Sequence, residues 1–385
     1  MTRFYYRIKP LIPRSVQLAL RRLMVAAIRR RKRAVWPIDP SAASPPEGWR
    51  GWPERKRFAL CLSHDVDTAS GASKVRDLAE AEMRLGFRSS FNFVPERYTT
   101  PTELRQYLKD NGFEVAVHGL VHDGKLFWSR KIFDERARRI NHYLEEWDAV
   151  GFHSPSMHRN LEWIHDLNIE YDQSTFDTDP FEPQPDGVGT IFPYAVYKNS
   201  QQHRSFRARP VSRPGVPASR FPSSCNPTNP TNPTNPTNPT NPTNPINPTN
   251  STNSTNSIDS TNSTNSTNSI DSRPFDSIDP TNPSDFYIEL PYTLPQDHTL
   301  FVIMREKDIS IWKEKLDWVA EKGGMALLNS HPDYMNFRNK QNGLEEYPAS
   351  YYLDFLTYVK TKYRGQYWHA LPRDIARFWR STMAP

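Results

Sequence analysis

From Arg57 onward, short apolar runs alternate with segments of helical period, and no other feature of this chain restricts its fold as much. Runs at 58–63, 88–94, 113–117, 150–153, 168–172, 286–290, 324–329 and 366–370 read as strands, each short and bounded by polar or turn-forming residues. Between them, 73–85, 102–110, 134–148, 160–166, 309–322, 350–362 and 372–380 read as helices. Within 134–148, Ala137, Ile140, Leu144 and Trp147 recur at helical spacing and mark a core face with no catalytic meaning. Strand, helix, strand with short joints implies parallel pairing in a barrel or a doubly wound sheet. The 385 residues, rich in Phe, Tyr and Trp, suffice for a sizeable core in one large domain or two.

One segment breaks the alternation. From Asn226 the chain repeats Asn-Pro-Thr, drifts to Asn-Ser-Thr and then takes in Asp-Ser, holding a three-residue phase to Asp271. The variants are single-nucleotide changes, which points to slippage of a three-codon repeat. Having almost no apolar side chains and frequent Pro, the tract cannot bury a core and is expected to be disordered and extended. With its loop-like flanks the insert covers 199–284 and interrupts one folded domain, because the βα pattern resumes at Phe286. The expected organisation is a basic N-terminal arm over 1–56, a first barrel part over 57–198, the insert, and a second barrel part over 285–385.

The net charge of +6 is uneven. Residues 1–38 carry eleven Lys/Arg and no acid, which leaves the remainder near −5. Val16, Leu20, Leu23 and Ala27 fall on one helical face with Arg21, Arg22, Arg29, Arg30 and Arg31 nearby. Such a helix suits an anionic membrane surface, reached through residues 1–33, or a basic arm that packs on the domain. Nucleic acid is a weaker partner, since no recognised binding motif accompanies the charge. The longest apolar run here, Leu23 to Ile28, is shorter than a signal-peptide core or a membrane span, so a cytoplasmic protein is expected. Two cysteines, Cys61 and Cys225, exclude a disulfide scaffold or a cysteine zinc site.

Chemistry concentrates at strand ends. Ser63-His64-Asp65-Val66-Asp67 closes the first apolar run, and His118-Gly-Leu-Val-His122 follows the run ending at Val117. Two carboxylates one residue apart and two imidazoles four apart form a plausible divalent metal site, with three groups as ligands and one left over as a base. The competing reading makes Asp65 and Asp67 helix caps and the two histidines a surface coincidence. Asn329-Ser330-His331 places a third imidazole at a strand end, the arrangement an α/β barrel active site requires.

Taken in order, Ser-His-Asp-Val-Asp, His-x-x-x-His, a Ser-Pro turn and a strand ending in His resemble the polysaccharide deacetylases with nodulation-protein-B homology, the family 4 carbohydrate esterases. The resemblance covers most of 58–198 and 286–372. It implies an α/β fold, a distorted (β/α) barrel of about seven strands, with one divalent metal, often zinc. It also implies Asp65 as general base, Asp67, His118 and His122 as metal ligands, and His331 as the acid that protonates the leaving amine. The third motif departs from the family: in Phe152-His153-Ser154-Pro155-Ser156, His153 stands where the family has an Arg and Ser156 where it has an aromatic. Arg159 is near enough in sequence to supply the missing positive charge. The Asp that orients the acid histidine is Asp172, Asp177 or Asp179, with Asp179 favoured by its Asp-Pro-Phe context.

These residue types suit N-acetyl hydrolysis, which needs an activated water, a Lewis acid on the carbonyl oxygen and a proton for the departing nitrogen. Backbone donors near 153–157 are expected to add oxyanion stabilisation. The expected activity is removal of acetyl groups from an N-acetylated sugar or polysaccharide. The alternatives are hydrolysis of a small non-sugar amide on the same fold, or a degenerate, non-catalytic glycan binder.

Overall fold

A computed structural model describes residues 13–198, 285–338 and 341–382. The expected disordered insert, 199–284, lies outside the described residues, as does 1–12 of the basic arm. The strands are β1 (Phe58–Val66), β2 (Ser90–Phe93), β3 (Glu114–His118), β4 (Gly151–His153), β5 (Tyr171–Asp172), β6 (Tyr194–Tyr197), β7 (Phe286–Glu289), β8 (Met325–Ser330), β9 (Met335–Asn336), β10 (Tyr347–Pro348) and β11 (Tyr367–His369). The helices are α1 (Arg14–Lys32), α2 (Ala69–Ala72), α3 (Val75–Leu85), α4 (Thr102–Asp110), α5 (Arg130–Glu146), α6 (Leu161–Ile164), α7 (Ser310–Lys322), α8 (Ser350–Lys362) and α9 (Pro372–Thr382). All eight strands and all seven helices read from the sequence are present, with ends shifted by a few residues.

β1 is the hub of the sheet. Its nine residues are all buried, which explains why it reads as a continuous apolar run that turns polar only at its end. It pairs in parallel with β11 through Phe58–Leu60, with β8 through Ala59–His64 and with β2 through Ser63–Val66. From β2 the parallel sheet continues through β3, β4 and β5 to β7. A bridge between Leu294 and Leu328, with the Thr293 and Leu294 amides donating to the Leu327 carbonyl, brings the chain after β7 back to β8. The result is a curled α/β sheet in the form of a distorted (β/α) barrel, its ring made by β1, β2, β3, β4, β5, β7 and β8.

Two elements escaped the sequence pattern. β6 runs antiparallel to β7 at the sheet edge, where half-buried side chains weaken the apolar signal. His298–Met304 forms a π-helical segment whose five central residues are buried, so its apolar run carries no amphipathic period. The helix expected from 134 begins earlier, at Arg130, where the Ser129 hydroxyl caps it by accepting from the Ile132 amide at 3.3 Å.

The N-terminal arm packs on the barrel. Leu18 and Val25 of α1 are buried, the Arg22 guanidinium donates to the Val302 carbonyl at 2.9 Å, and Arg29 and Arg14 pair with Glu306 and Glu345, each at 2.5 Å. Beyond α1, Trp36 and Trp52 are buried, and Trp52 sits in an aromatic cluster with Trp49, Trp368, Phe378 and Trp379. No described helix is long and apolar enough to cross a membrane.

Candidate functional site

Strand periodicity sorts the first motif. Alternate residues of β1 face opposite sides, so Ser63 and Asp65 point one way and His64 the other. His64 meets the Glu82 carboxylate of α3 at 2.8 Å and the Ser330 hydroxyl at 2.9 Å, a buried polar contact between sheet and helix. Asp65 instead joins side chains that the parallel register brings to the same level. Asn92 of β2 lies directly opposite Asp65, and His153 of β4 lies opposite His118 of β3.

Asp65 is held from three directions. Its Oδ1 accepts from Asn92 Nδ2 at 2.8 Å and from His153 Nδ1 at 2.7 Å, and its Oδ2 accepts from Asn329 Nδ2 at 2.7 Å. A carboxylate offers about four acceptor positions, so one remains, on the oxygen that lies 3.7 Å from His331 Nε2. Burial by itself would raise the Asp65 carboxyl. The imidazoles of His118, His153 and His331 outweigh it and hold the group well below the usual carboxylate range.

Asp67 stands two residues on. Its Oδ1 is buried without a hydrogen-bond partner and faces His122 Nε2 at 3.0 Å and His118 Nε2 at 3.3 Å. The His118 Nδ1 lies 3.0 Å from the His153 carbonyl oxygen. A carbonyl only accepts, so Nδ1 carries the proton and Nε2 keeps its lone pair. One acceptor-only oxygen and two imidazoles converging on one point, with all three ligand atoms within 4.8 Å of one another, are a donor set suited to a zinc-type divalent ion. The carbonyl behind His118 supplies the orienting contact typical of metal-bound histidines.

Backbone geometry brings His122 round. Gly119 sits at φ 62°, and a Cβ there would lie 2.3 Å from Pro155 Cγ, so the turn after His118 requires glycine. His122 itself is left-handed at φ 53°, an uncommon conformation for a residue with a side chain and one that clusters at functional sites. The neighbouring turn holds Ser156 and Met157 at φ 57° and 54° and places Met157 Sδ 3.0 Å from His153 Nε2.

His331 follows β8. Its Nδ1 lies 2.7 Å from Asp297 Oδ1, and its amide donates to Asp297 Oδ2 at 2.8 Å. The Tyr347 hydroxyl donates to Asp297 Oδ2 at 2.9 Å. Burial would lower the imidazole, but the Asp297 carboxylate outweighs it and pushes His331 up to about 10.

Two expectations need correction. Asp179 does not orient His331: its oxygens accept from the Phe181 amide at 3.0 Å and the Tyr292 hydroxyl at 2.9 Å, and burial followed by the charge of Glu182 pushes it up to about 8. Asp177 pairs with Lys315 at 2.5 Å and Asp172 accepts from Ser174 at 2.6 Å, so neither takes that role. Arg159 donates to the Gln184 and Asp186 carbonyls and, among the described residues, forms no ion pair with Asp65; His153 occupies that place directly. Of the backbone donors expected near 153–157, the Ser154 and Met157 amides are bonded to Ser174 Oγ and the Ser154 carbonyl.

Sequence reasoning missed Asp297, Asn92 and Asn329. Asp297 also accepts from the His298 amide at 2.8 Å, so in sequence it is indistinguishable from an ordinary cap. Asn92 and Asn329 had one available signal, their place inside or at the end of strands otherwise apolar and buried.

No protein-family model and no curated protein matches this chain. Solved structures do. A candidate polysaccharide deacetylase from Mycobacterium smegmatis superposes with a TM-score of 0.52 at 14% identity, over 89% of this chain and 96% of that one. The Puue allantoinase gives 0.50 at 13% over 90% and 98%, and a second candidate polysaccharide deacetylase, from Pseudomonas aeruginosa PAO1, gives 0.50 at 14% over 90% and 98%. At such identities the likeness establishes the fold, that of the polysaccharide deacetylases.

Proposed function

We propose that this protein is a metal-dependent amide hydrolase that removes acetyl groups from an N-acetylated sugar or polysaccharide. One observation carries the reading: Asp67, His118 and His122 converge as a ligand set directly beside Asp65 and His331, whose reacting atoms lie 3.7 Å apart. A divalent ion held by those three, zinc best fitting the donors, supplies Lewis acidity toward the amide carbonyl and lowers the pKa of water.

The remaining chemistry belongs to the chain. Asp65 is ionised, and the acceptor position it has left takes the proton of the attacking water. Asn92, Asn329 and His153 fix its orientation, so that position points into the site. His331 keeps its proton through neutral pH and delivers it from Nε2 to the departing nitrogen, while Asp297 holds the ring by Nδ1. Two of the structural neighbours are candidate polysaccharide deacetylases, which supports a deacetylase.

A second reading, hydrolysis of a small non-sugar amide, is favoured by the equally good superposition on an allantoinase and by His153 in place of the family's Arg. A non-catalytic glycan binder has no need of the Asp297–His331 pair, which speaks against that alternative. Metal analysis of the purified protein, with acetate release from chitooligosaccharides and ammonia or acid release from small amides, separates the readings. His118→Ala should lower bound metal well below one equivalent and abolish turnover. Equal metal content in wild type and the Asp67, His118, His122 triple alanine variant would sink the site.

A further inference from the structure

Helix α1 has two apolar faces, and the barrel covers one of them. At 100° per residue, Leu18 and Val25, with Arg22 and Arg29 beside them, form the side that meets the π-helical segment and its flank. Val16, Leu20, Leu23, Met24 and Ala27 lie on the opposite side. There Val16 is 45% exposed, Leu20 57%, Leu23 70% and Met24 55%. Among the described residues, only two other large hydrophobic side chains are exposed, Trp128 at 37% and Leu344 at 52%, and Leu344 adjoins the Glu345 that pairs with Arg14 of this same helix. A stripe of this kind on a packed helix marks an interaction surface.

The charge around it selects the partner. Arg30, Arg31, Lys32 and Arg33 close the helix and are exposed, with Arg30 and Arg31 flanking the stripe. Residues 1–33 hold eleven Lys/Arg and no acid. An apolar stripe on a helix whose only charged residues are cations is complementary to anionic lipid, with the apolar side chains at the acyl boundary and the arginines among the headgroups. We infer that α1 is a membrane-docking helix that holds this protein on an anionic lipid surface. The stripe predicted from sequence as membrane-facing is the one the fold leaves open, while a different edge of the helix does the packing.

The helix stands near the site. It packs on residues that follow directly from Asp297, and Arg21 and His331 both act electrostatically on His298 and Glu182. Resting on the hydrolase reading above, docking presents the site to N-acyl glycans carried by lipid.

The test is sedimentation of the full chain with vesicles, which does not depend on catalysis. Wild type should pellet with phosphatidylglycerol-containing vesicles, should not pellet with pure phosphatidylcholine, and should be released by high salt. Leu20→Glu/Leu23→Glu/Met24→Glu places charge on side chains already exposed, so the melting temperature should hold while vesicle binding falls at least about tenfold. Wild type left in the supernatant with anionic vesicles overturns the inference, as does a triple variant that binds undiminished. A lipid-free dimer abolished by the same substitutions assigns the stripe to a second copy of the chain and likewise overturns it.

Discussion

Asp65 and Asp67 lie at the end of β1; Asp172 and Glu289 face one another at the ends of β5 and β7. All four are buried, yet their carboxyls move in opposite directions. Imidazoles surround the first two and hold them below the usual range, in spite of burial. Burial raises the second pair, and each carboxyl has the other as its neighbour. Both Glu289 oxygens and Asp172 Oδ2 lack a hydrogen-bond donor, because two acceptors bond only when one carries a proton. Burial alone therefore does not fix the charge state of a carboxyl in this barrel; the side chains around it do. The β1 end thus favours ionised carboxylates, and the β5–β7 end favours holding a proton.

The sharpest way to break the contrast is Asp65→Asn. If the carboxylate is the base and not a ligand, turnover should fall about 10²–10⁴-fold while bound metal stays near wild type. Loss of metal as complete as in His118→Ala would move Asp65 into the ligand set.

Asp297→Asn should act through His331. With the carboxylate gone the imidazole loses its main support against burial, and its pKa falls from about 10. The acid must be protonated, so activity is lost as pH rises through that pKa. The alkaline limb of kcat/KM should therefore move to lower pH, with metal content unchanged. The same linkage governs folding: a raised histidine stabilises the fold below its ordinary value near 6.5 and loses that contribution as pH rises toward about 10. An unshifted limb would show that Asp297 supports structure without tuning the acid.

Asp297 also marks where sequence reading stopped. The β1, β3 and β8 ends were legible because a polar group after a buried strand is conspicuous, and the parallel register then carries Asp65, His118 and His331 to one end of the barrel. The partner of His331 was not legible. It comes from an irregular segment after β7, on the far side of the insert, and its local signature is that of a cap. Asp179 looked right for its Asp-Pro-Phe context, but Tyr292 and the Phe181 amide occupy it. β6 was hidden because its pairing partner is separated from it by the whole insert.

The proton stored at the other end has a stability signature. Glu289 is raised well above its ordinary 4.5, so the folded state binds a proton that the unfolded chain has released, and stability falls as pH rises above about 4.5. Glu289→Gln removes that dependence while nearly keeping the shape. Its melting temperature should exceed wild type at pH 8, by about 2–4 °C for each 1 kcal/mol gained, and match it more closely at pH 5. A variant less stable than wild type at pH 8 would mean the carboxylate is compensated by a cation, and the contrast with Asp65 would fail.

The smallest effect is expected from the insert, which enters the fold beside this acidic pair. Tyr194 lies opposite Glu289 and Tyr197 opposite Phe286 in the antiparallel β6–β7 ladder, and the Lys198 amide donates to the Asp285 carbonyl at 2.9 Å. The chain thus leaves and returns at one hydrogen-bonded step, so residues 199–284 are topologically the loop of a hairpin. Loop-closure entropy changes by only about 0.6 kcal/mol for each doubling of length, and a two-residue Asn-Gly turn suits such a ladder. Replacing 199–284 with that turn should leave acetate release and metal content unchanged, keep the pH-dependent stability that Glu289 confers, and raise the melting temperature slightly if anything. A replaced chain that folds but loses activity would show that the insert contacts substrate. One that loses only the pH-dependent part would place the insert over Asp172 and Glu289, making their raised carboxyls a property of the whole chain and not of the barrel.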